Sequence, residues 1–409
     1  MSNRLTGLQV KNFRSLADVT IETKPLNILF GPNGAGKSTL LDTIWFIRDC
    51  AIRGVDLASS ERSHGIGVLW DGADEGANIS IKLETELAEY EVLFGYSSGR
   101  IEPFVGEILF SKNRNLRLID RKIGSDKADF YHTKMQQSMS AMLREPEKLA
   151  LTKYLDFEDS SFSASELDRL LHFVHFYHSR EAELYGLKKH GSESTHHTWL
   201  WERCQNLWSV LRNLHDRRST DERYDPSTVR YDTIVNFMQE SFPSFDDLFI
   251  EQTGPNAVYC SFLEKKRRHP IQASGVSDGH LQMLINLTAL FSEGKDRDSL
   301  IIFDEPETSL HPHALSILAK AIKFATEEWN KQVFIATHSP VLLSQFEPEN
   351  ILAAEIDESG QTVMNWVSEM DEIKDLLEQY ATGALYMAEV VAAQSRFQGY
   401  EIDAVLSKE

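Results

Sequence analysis

Apolar and polar residues alternate with a period of two through most of the first 30 positions and then change rhythm. Leu8, Val10 and Phe13, followed by Val19 and Ile21, mark strands facing a common core, with polar turns at Asn12 and at Lys24-Pro25. The run Leu26-Asn27-Ile28-Leu29-Phe30 is apolar almost throughout, the pattern of a strand buried on both faces. Helical spacing takes over at 39–47. Residues 51–78, rich in Gly, Asp and Ser, predict a loop region, and 78–84, 89–96 and 107–110 predict an antiparallel β-layer. Between about 134 and 225 the pattern is helical and broken, with amphipathic pieces at 136–143, 166–172 and 199–214 and a Ser/His-rich break at 191–197. No heptad lasts long enough for a coiled coil, so a compact helical insertion is expected. A helix at 229–240 and a hairpin of 247–252 with 257–263 follow.

From 275 the period alternates again: helix 278–291, buried strand 300–303, helix 312–329, strand 332–336 and a helix after Pro340. Strands alternating with helices imply a mostly parallel sheet and an α/β fold. The expected organisation is an N-terminal lobe at 1–133, the insertion at 134–228, a C-terminal lobe at 229–367 and an acidic helical tail at 368–409.

Between the buried strand and the first helix stands Gly-Pro-Asn-Gly-Ala-Gly-Lys-Ser-Thr, residues 31–39, which fits G-x-x-x-x-G-K-[ST]. Glycines let the backbone wrap closely and turn successive N–H groups inward, so a polyphosphate sits at the positive end of the helix. Asn33, Gly34, Gly36, Lys37, Ser38 and Thr39 are the candidate phosphate contacts. Lys37 is expected to reach the β- and γ-phosphates and the Ser38 hydroxyl to ligate Mg²⁺. A plain strand-to-helix turn needs no Lys-Ser after its last glycine.

A second strand, Leu300-Ile301-Ile302-Phe303, ends in Asp304-Glu305. An acid at the C-terminal end of a doubly buried strand suits a Mg²⁺ site, so Asp304 is the second metal candidate and Glu305 the candidate general base. Ala336-Thr337-His338-Ser339-Pro340 ends the next strand, where His338 is placed to orient water. Ser277-Asp278-Gly279-His280 opens an amphipathic helix, a second Ser/Gly-rich helix start suited to phosphate.

Phosphate loop, Ser-Asp-Gly helix start, Asp-Glu strand and Thr-His strand, in that order, resemble an ABC-type ATPase. With Lys11-Asn12-Phe13-Arg14-Ser15 and FDEPETSLHP at 303–312, the chain resembles the SMC and RecF branch, in particular short AAA-domain members related to overcoming-lysogenization-defect ATPases. The resemblance implies an ABC ATPase head (a P-loop NTPase) with a mixed or antiparallel β-layer and the compact helical insertion. It implies ATP and Mg²⁺ as ligands, ATP hydrolysis, and a homodimer sandwiching two ATP molecules head to tail, with higher oligomers open. Arg14 becomes a candidate phosphate or base contact; Ser277 and Gly279 match the signature that reaches the partner's γ-phosphate. The loop at 308–311 matches the one crossing the dimer seam. Ser-Asp-Gly-His in place of Ser-Gly-Gly-Gln favours this branch over a transporter energy subunit. A glutamine loop is expected between the lobes, with Gln136 and Gln137 among the open positions. Roles in genome maintenance or antiphage defence follow, with an ATP-switched protein scaffold as the alternative. About 70 residues follow His338, too few for the Toprim nuclease domain of related chains, so a separate nuclease or toxin effector is expected.

Charge and composition narrow the partners. The chain has 409 residues, 42% hydrophobic and 25% charged, and a formal net charge of −20. That balance opposes a surface coated for DNA but leaves room for local basic stretches. Two stand out: Lys112, Arg114, Arg117, Arg121, Lys122 and Lys127, and the run Lys265-Lys266-Arg267-Arg268. No apolar run reaches membrane-span length, the N-terminus lacks a signal-peptide core, and three scattered cysteines match no disulfide or zinc framework. No membrane partner and a cytoplasmic location are expected. His172, His175 and His178 recur every third residue; a strand points His175 away from the other two, so no metal site is expected there.

Overall fold

The computed structural model describes residues 3–62, 67–102, 105–157, 160–217, 226–253, 255–295, 297–370 and 381–387. The described residues divide into two compact units, one within 3–174 and 352–370, the other within 175–351 and 381–387.

The first unit is dominated by an eight-stranded sheet. Its order is Gln137–Met142, Lys127–His132, Leu116–Arg121, Gly106–Ser111, Ala88–Phe94, Ile79–Thr85, Leu5–Phe13 and Leu16–Glu22. Every neighbouring pair is antiparallel, from Lys127↔Met142 at one edge to Val10↔Val19 at the other. Strict alternation decides which face is buried: Ala88, Tyr90, Val92 and Phe94 point into the core and the residues between them do not. The helix Lys37–Arg53 buries Leu40, Leu41, Ile44 and Phe46, and the Phe46 ring packs on Phe94 at 5.0 Å between centroids. Truncating such a ring to alanine costs about 3–5 kcal/mol. The strand Leu26–Phe30 is buried at every residue, and in the same unit the antiparallel pair Ile351–Ile356 and Thr362–Trp366 lies beside it.

Three expectations change here. Residues 136–143 are not helical: Gln137–Met142 pairs antiparallel with Lys127–His132 in full register. Ser138 and Ser140 alternating with Met139 and Ala141 suit an exposed edge strand, and that pairing overrides a short helical spacing. Part of 51–78 is helical, as the Lys37–Arg53 helix runs on and Val55–Ser60 forms another. The basic stretch at 112–127 is only partly a surface stripe: Arg114, Lys122 and Lys127 are exposed, while its other three cations are engaged. Lys112 is spent on Glu84 at 3.3 Å, and Arg117 on Asp120. Arg121 is only 1% exposed and donates to the carbonyls of Ser125, Pro146 and Lys148. Beside it, fully buried Glu107 accepts from Tyr90 Oη at 2.9 Å and from the Leu151 N–H at 2.7 Å. Burial raises the Glu107 carboxyl, and those donors oppose the shift.

In the second unit the strands Ser299–Asp304 and Lys331–Ala336 run parallel and in register, Ser299↔Lys331 through Asp304↔Ala336. Every residue of both is buried, and Val174–His178 lies on the far side of Ser299–Asp304. Helices Pro226–Ser241, Asp278–Phe291 and Pro312–Glu328 pack together, with Phe237 stacked on Phe291 at 5.5 Å and Trp329 edge-on to Phe291 at 5.1 Å. A smaller antiparallel sheet joins Ser192–Glu193, Ala257–Glu264 and Phe245–Gln252, with Ile271–Gln272 on the end of Ala257–Glu264. Of the tail, 382–387 is a helix; 371–380 and 388–409 lie outside the described residues. Among the described residues no helix is long and apolar enough to cross a membrane.

Candidate nucleotide site

The phosphate loop is made by backbone. Gly31 (φ 145°) is set by packing, because a Cβ there would stand 2.0 Å from the Ala354 carbonyl. Gly34 (φ 82°) faces open space and Gly36 (φ 88°) caps the helix in the left-handed region, a conformation only glycine adopts cheaply. Lys37 is buried and its Nζ donates to the carbonyls of Gly31 and Pro32, both at 2.8 Å, which holds the ammonium within the curl of the loop. Asn33, Gly34 and Ser38 are exposed and Thr39 is half-buried. The unpartnered hydroxyls of Ser15 and buried Thr362 lie against Gly36. A left-handed glycine curl around a buried ammonium fits a polyphosphate.

Arg14 is held rather than free. It adopts φ 52°, its N–H donates to the Val68 carbonyl at 2.6 Å, and its guanidinium pairs with Asp42 at 3.2 Å. Asp42 lies one turn beyond Ser38 on the same helix and also binds Arg62, which in turn reaches Asp49. Sequence reasoning missed this Arg14–Asp42–Arg62–Asp49 network, since nothing in the spacing links 62 to 42.

In the second unit the strand Ser299–Asp304 delivers Asp304, buried, and Glu305 turns sharply with φ 54° while its N–H donates to the Ala336 carbonyl. Left-handed backbone at a non-glycine residue costs on the order of 1 kcal/mol or more and is characteristic of functional sites. The Glu305 carboxylate is divided between two partners. Arg180 holds Oε2 at 2.6 Å, and His338 Nε2 stands 4.0 Å from Oε1. His178 Nε2 lies 3.4 Å from Asp304 Oδ2; its Nδ1 accepts from the Arg180 N–H, which puts the ring proton on Nε2, toward Asp304.

His178 and Arg180 escaped the sequence reading, which weighed the histidines only as metal ligands. Their places are now clear: His172 contacts Asp168, His175 contacts Glu293, and His178 contacts Asp304. Glu307 lies two residues beyond Glu305. It is a clamp, accepting from Thr337 Oγ1 at 2.8 Å and from the His338 N–H at 2.9 Å, and thereby fixes the histidine loop to the acid turn. Burial raises its carboxyl, and the His338 N–H opposes the rise.

The signature opens the helix Asp278–Phe291. Ser277 Oγ lies 2.8 Å from His280 Nδ1, and Lys188 Nζ donates to the Val276 carbonyl and Asp278. Gly279 has a packing reason: a Cβ would stand 2.6 Å from the carbonyl of Ser309, itself at φ 66°. Further along, Gln282 donates to Ser179 Oγ at 3.1 Å and Asn286 to the Pro306 carbonyl at 3.0 Å. The helix is thus tied to both neighbours of the acid pair. The Ser38 hydroxyl and the Asp304 carboxylate are each a hard oxygen donor of the kind Mg²⁺ takes.

A glycine-rich phosphate loop together with an acid-ended parallel strand defines a P-loop ATPase domain. The family profile described as "AAA domain, putative AbiEii toxin, Type IV TA system" matches residues 26–344, and the chain belongs to this AAA-domain family. The Old nuclease of Escherichia phage P2 is 22% identical over 396 residues, covering 91% of this chain and 62% of that protein. Endonuclease GajA of Bacillus cereus (strain VD045) is 20% identical over 421 residues, 99% of this chain and 68% of that protein. DNA replication and repair protein RecF of Natranaerobius thermophilus is 27% identical over 153 residues, 37% and 33% of the two chains. The chain therefore spans about 62% of the length of the phage P2 relative. The expected kinship with RecF-branch ATPases and the α/β class both stand.

Proposed function

We infer that this domain binds Mg²⁺-ATP and hydrolyses it to ADP and phosphate, pairing head to tail with a second copy around two nucleotides. Lys37 compensates the β- and γ-phosphate charge, and Ser38 and Asp304 hold the metal, which supplies charge neutralisation at the phosphates. Glu305 accepts a hydrogen bond from the attacking water, with His338 beside it. Ser277 faces the partner's phosphate, and Arg14 orders the start of the loop helix. The observation that carries the reading is the divided Glu305 carboxylate directly after buried Asp304: one oxygen fixed by Arg180, the other turned toward His338. Nuclease names among the relatives support an action on DNA, performed with a nuclease or other effector that takes the ATP state as its cue.

Lys37→Ala tests the site. Removing a charge-assisted contact to phosphate is expected to weaken ATP binding about 100-fold in a nucleotide titration, with the fold retained. Unchanged affinity would remove the basis for the assignment. Gly279→Asp is a poor probe of pairing, because any side chain there also collides with Ser309.

A further inference from the structure

The second basic run is continuous and exposed, whereas the first is broken by buried Arg121 and by the pairs of Lys112 and Arg117. Lys265, Lys266, Arg267 and Arg268, with His269 after them, form the turn between the strands Ala257–Glu264 and Ile271–Gln272. All five side chains are exposed, and among the described residues their one ion pair is Arg267 to Glu264 at 3.0 Å. A chain of net charge −20 repels polyanions at long range, so contact with one needs dense positive charge within a Debye length of about 8–10 Å. Four cations on one turn supply it. The turn is also held in place: the Lys265 N–H donates to the Ser244 carbonyl at 3.0 Å and the Arg267 N–H to the Glu264 carbonyl at 3.1 Å.

The same two attachments lead to the signature. Phe242, two residues before Ser244, stacks on the His280 ring at 3.8 Å between centroids. Phe262, three residues before Lys265, meets that ring edge-on at 6.3 Å. Enclosed this way, His280 is pushed toward its neutral form by burial, which the Glu264 charge opposes. Its Nδ1 sits 2.8 Å from the Ser277 hydroxyl, and Gln282 and Asn286 of the same helix hold Ser179 and Pro306, the neighbours of Arg180 and Glu305.

We propose that the turn at 265–269 is a contact for the phosphate backbone of duplex DNA, and that its occupancy acts through the Phe242–His280–Phe262 stack on Ser277 to raise ATP turnover. The turn carries no Phe, Tyr or Trp on which unpaired bases could stack, which favours a duplex over a single strand. The coupling rests on the ATPase reading above; the DNA contact does not.

The test uses the full chain with Lys265→Gln, Lys266→Gln, Arg267→Gln and Arg268→Gln combined. Anisotropy of a labelled DNA duplex, without nucleotide, is followed between about 50 and 200 mM salt. Tenfold or greater loss of affinity is expected, with the slope of log K against log salt reduced by about 3. Replacing Lys265 and Lys266 by arginine is expected to leave both in place, which separates charge from folding. Unchanged affinity and slope in the glutamine variant would overturn the contact. Equal loss on a single-stranded homopolymer, bound as tightly by the parent, would overturn the choice of duplex. Phe242→Leu is expected to keep DNA affinity and basal turnover while losing DNA stimulation; stimulation retained would overturn the coupling. Failure of the ATPase reading shows instead as unchanged nucleotide affinity in Lys37→Ala.

Discussion

The phosphate loop and the acid end of the second unit do their work by different means. The loop is nine consecutive residues whose function lies in backbone direction, glycine conformation and one buried ammonium. The acid end is assembled from side chains: Glu305 and Glu307, His338, and, from more than a hundred residues earlier in the chain, His178 and Arg180. A backbone-made site tolerates change around it, because its geometry is a property of the local chain. A side-chain-made site depends on every partner that holds a carboxylate in its rotamer.

Glu305→Gln probes the largest difference. The substitution is nearly isosteric, so the strand and Asp304 remain, but the carboxylate that accepts from water is gone. Turnover is expected to fall by about 10²–10⁴ while ATP still binds, leaving a long-lived ATP-bound dimer in size-exclusion chromatography. Phosphate release at the parent rate would show that the base is elsewhere. Glu307 is a poor substitute, since its Oε1 already accepts from Thr337 and His338.

The start of the same strands offers an acid with no such role. Glu293 contacts His175 at 3.3 Å, and Lys331 Nζ donates to the Gly294 and Arg297 carbonyls. Burial alone would raise the Glu293 carboxyl, but His175, Lys331 and Ser299 together bring it down to about 2. A folded value below the ordinary 4.5 means its stabilisation is complete above pH 4.5 and lost as pH falls from there through 2. Lys331 has the opposite sense. Burial lowers it to about 8, so stability from this group increases as pH rises from 8 toward 10.5. Glu293→Gln should therefore lower stability at pH 7 by something on the order of 3 kcal/mol and narrow the gap to the parent near pH 3. Urea melts at the two pH values measure it; an equal gap at both would show that the carboxylate charge is not what matters.

How much of this could be read from the sequence follows the same division. Residues 31–39, Asp304, Glu305 and His338 were legible because each motif is short and carries its own strand or helix context. The buried strands were legible from unbroken apolar runs. The edge strand Gln137–Met142 was not, because three apolar residues among six fit either period until a neighbouring strand claims them. Arg121 looked like surface charge, yet it lies buried under three carbonyls, and sequence carries no mark of that difference. His178, Arg180, Gln282 and Asn286 were missed for a related reason. Their roles are pairings across long separations, with no fixed spacing to betray them.

Arg180 gives the smallest and most discriminating test of the contrast. Its side chain is 68% exposed, and an exposed ion pair contributes little to stability, so Arg180→Ala should leave the melting temperature nearly unchanged. The catalytic consequence is different in kind. With Oε2 of Glu305 fixed by the guanidinium, Oε1 has one direction left, toward His338; without it the carboxylate samples other rotamers. Misplacing a reacting group costs rate without costing substrate affinity. The expected result is about a tenfold drop in kcat, ATP affinity retained, and partial recovery in Arg180→Lys, which restores the charge but not the fork. A fall in melting temperature that tracks the fall in kcat would make Arg180 a structural residue. Parent kcat in the alanine variant would mean that Glu305 is held by its backbone turn alone, and the acid end would then resemble the loop more closely than its side-chain partners suggest.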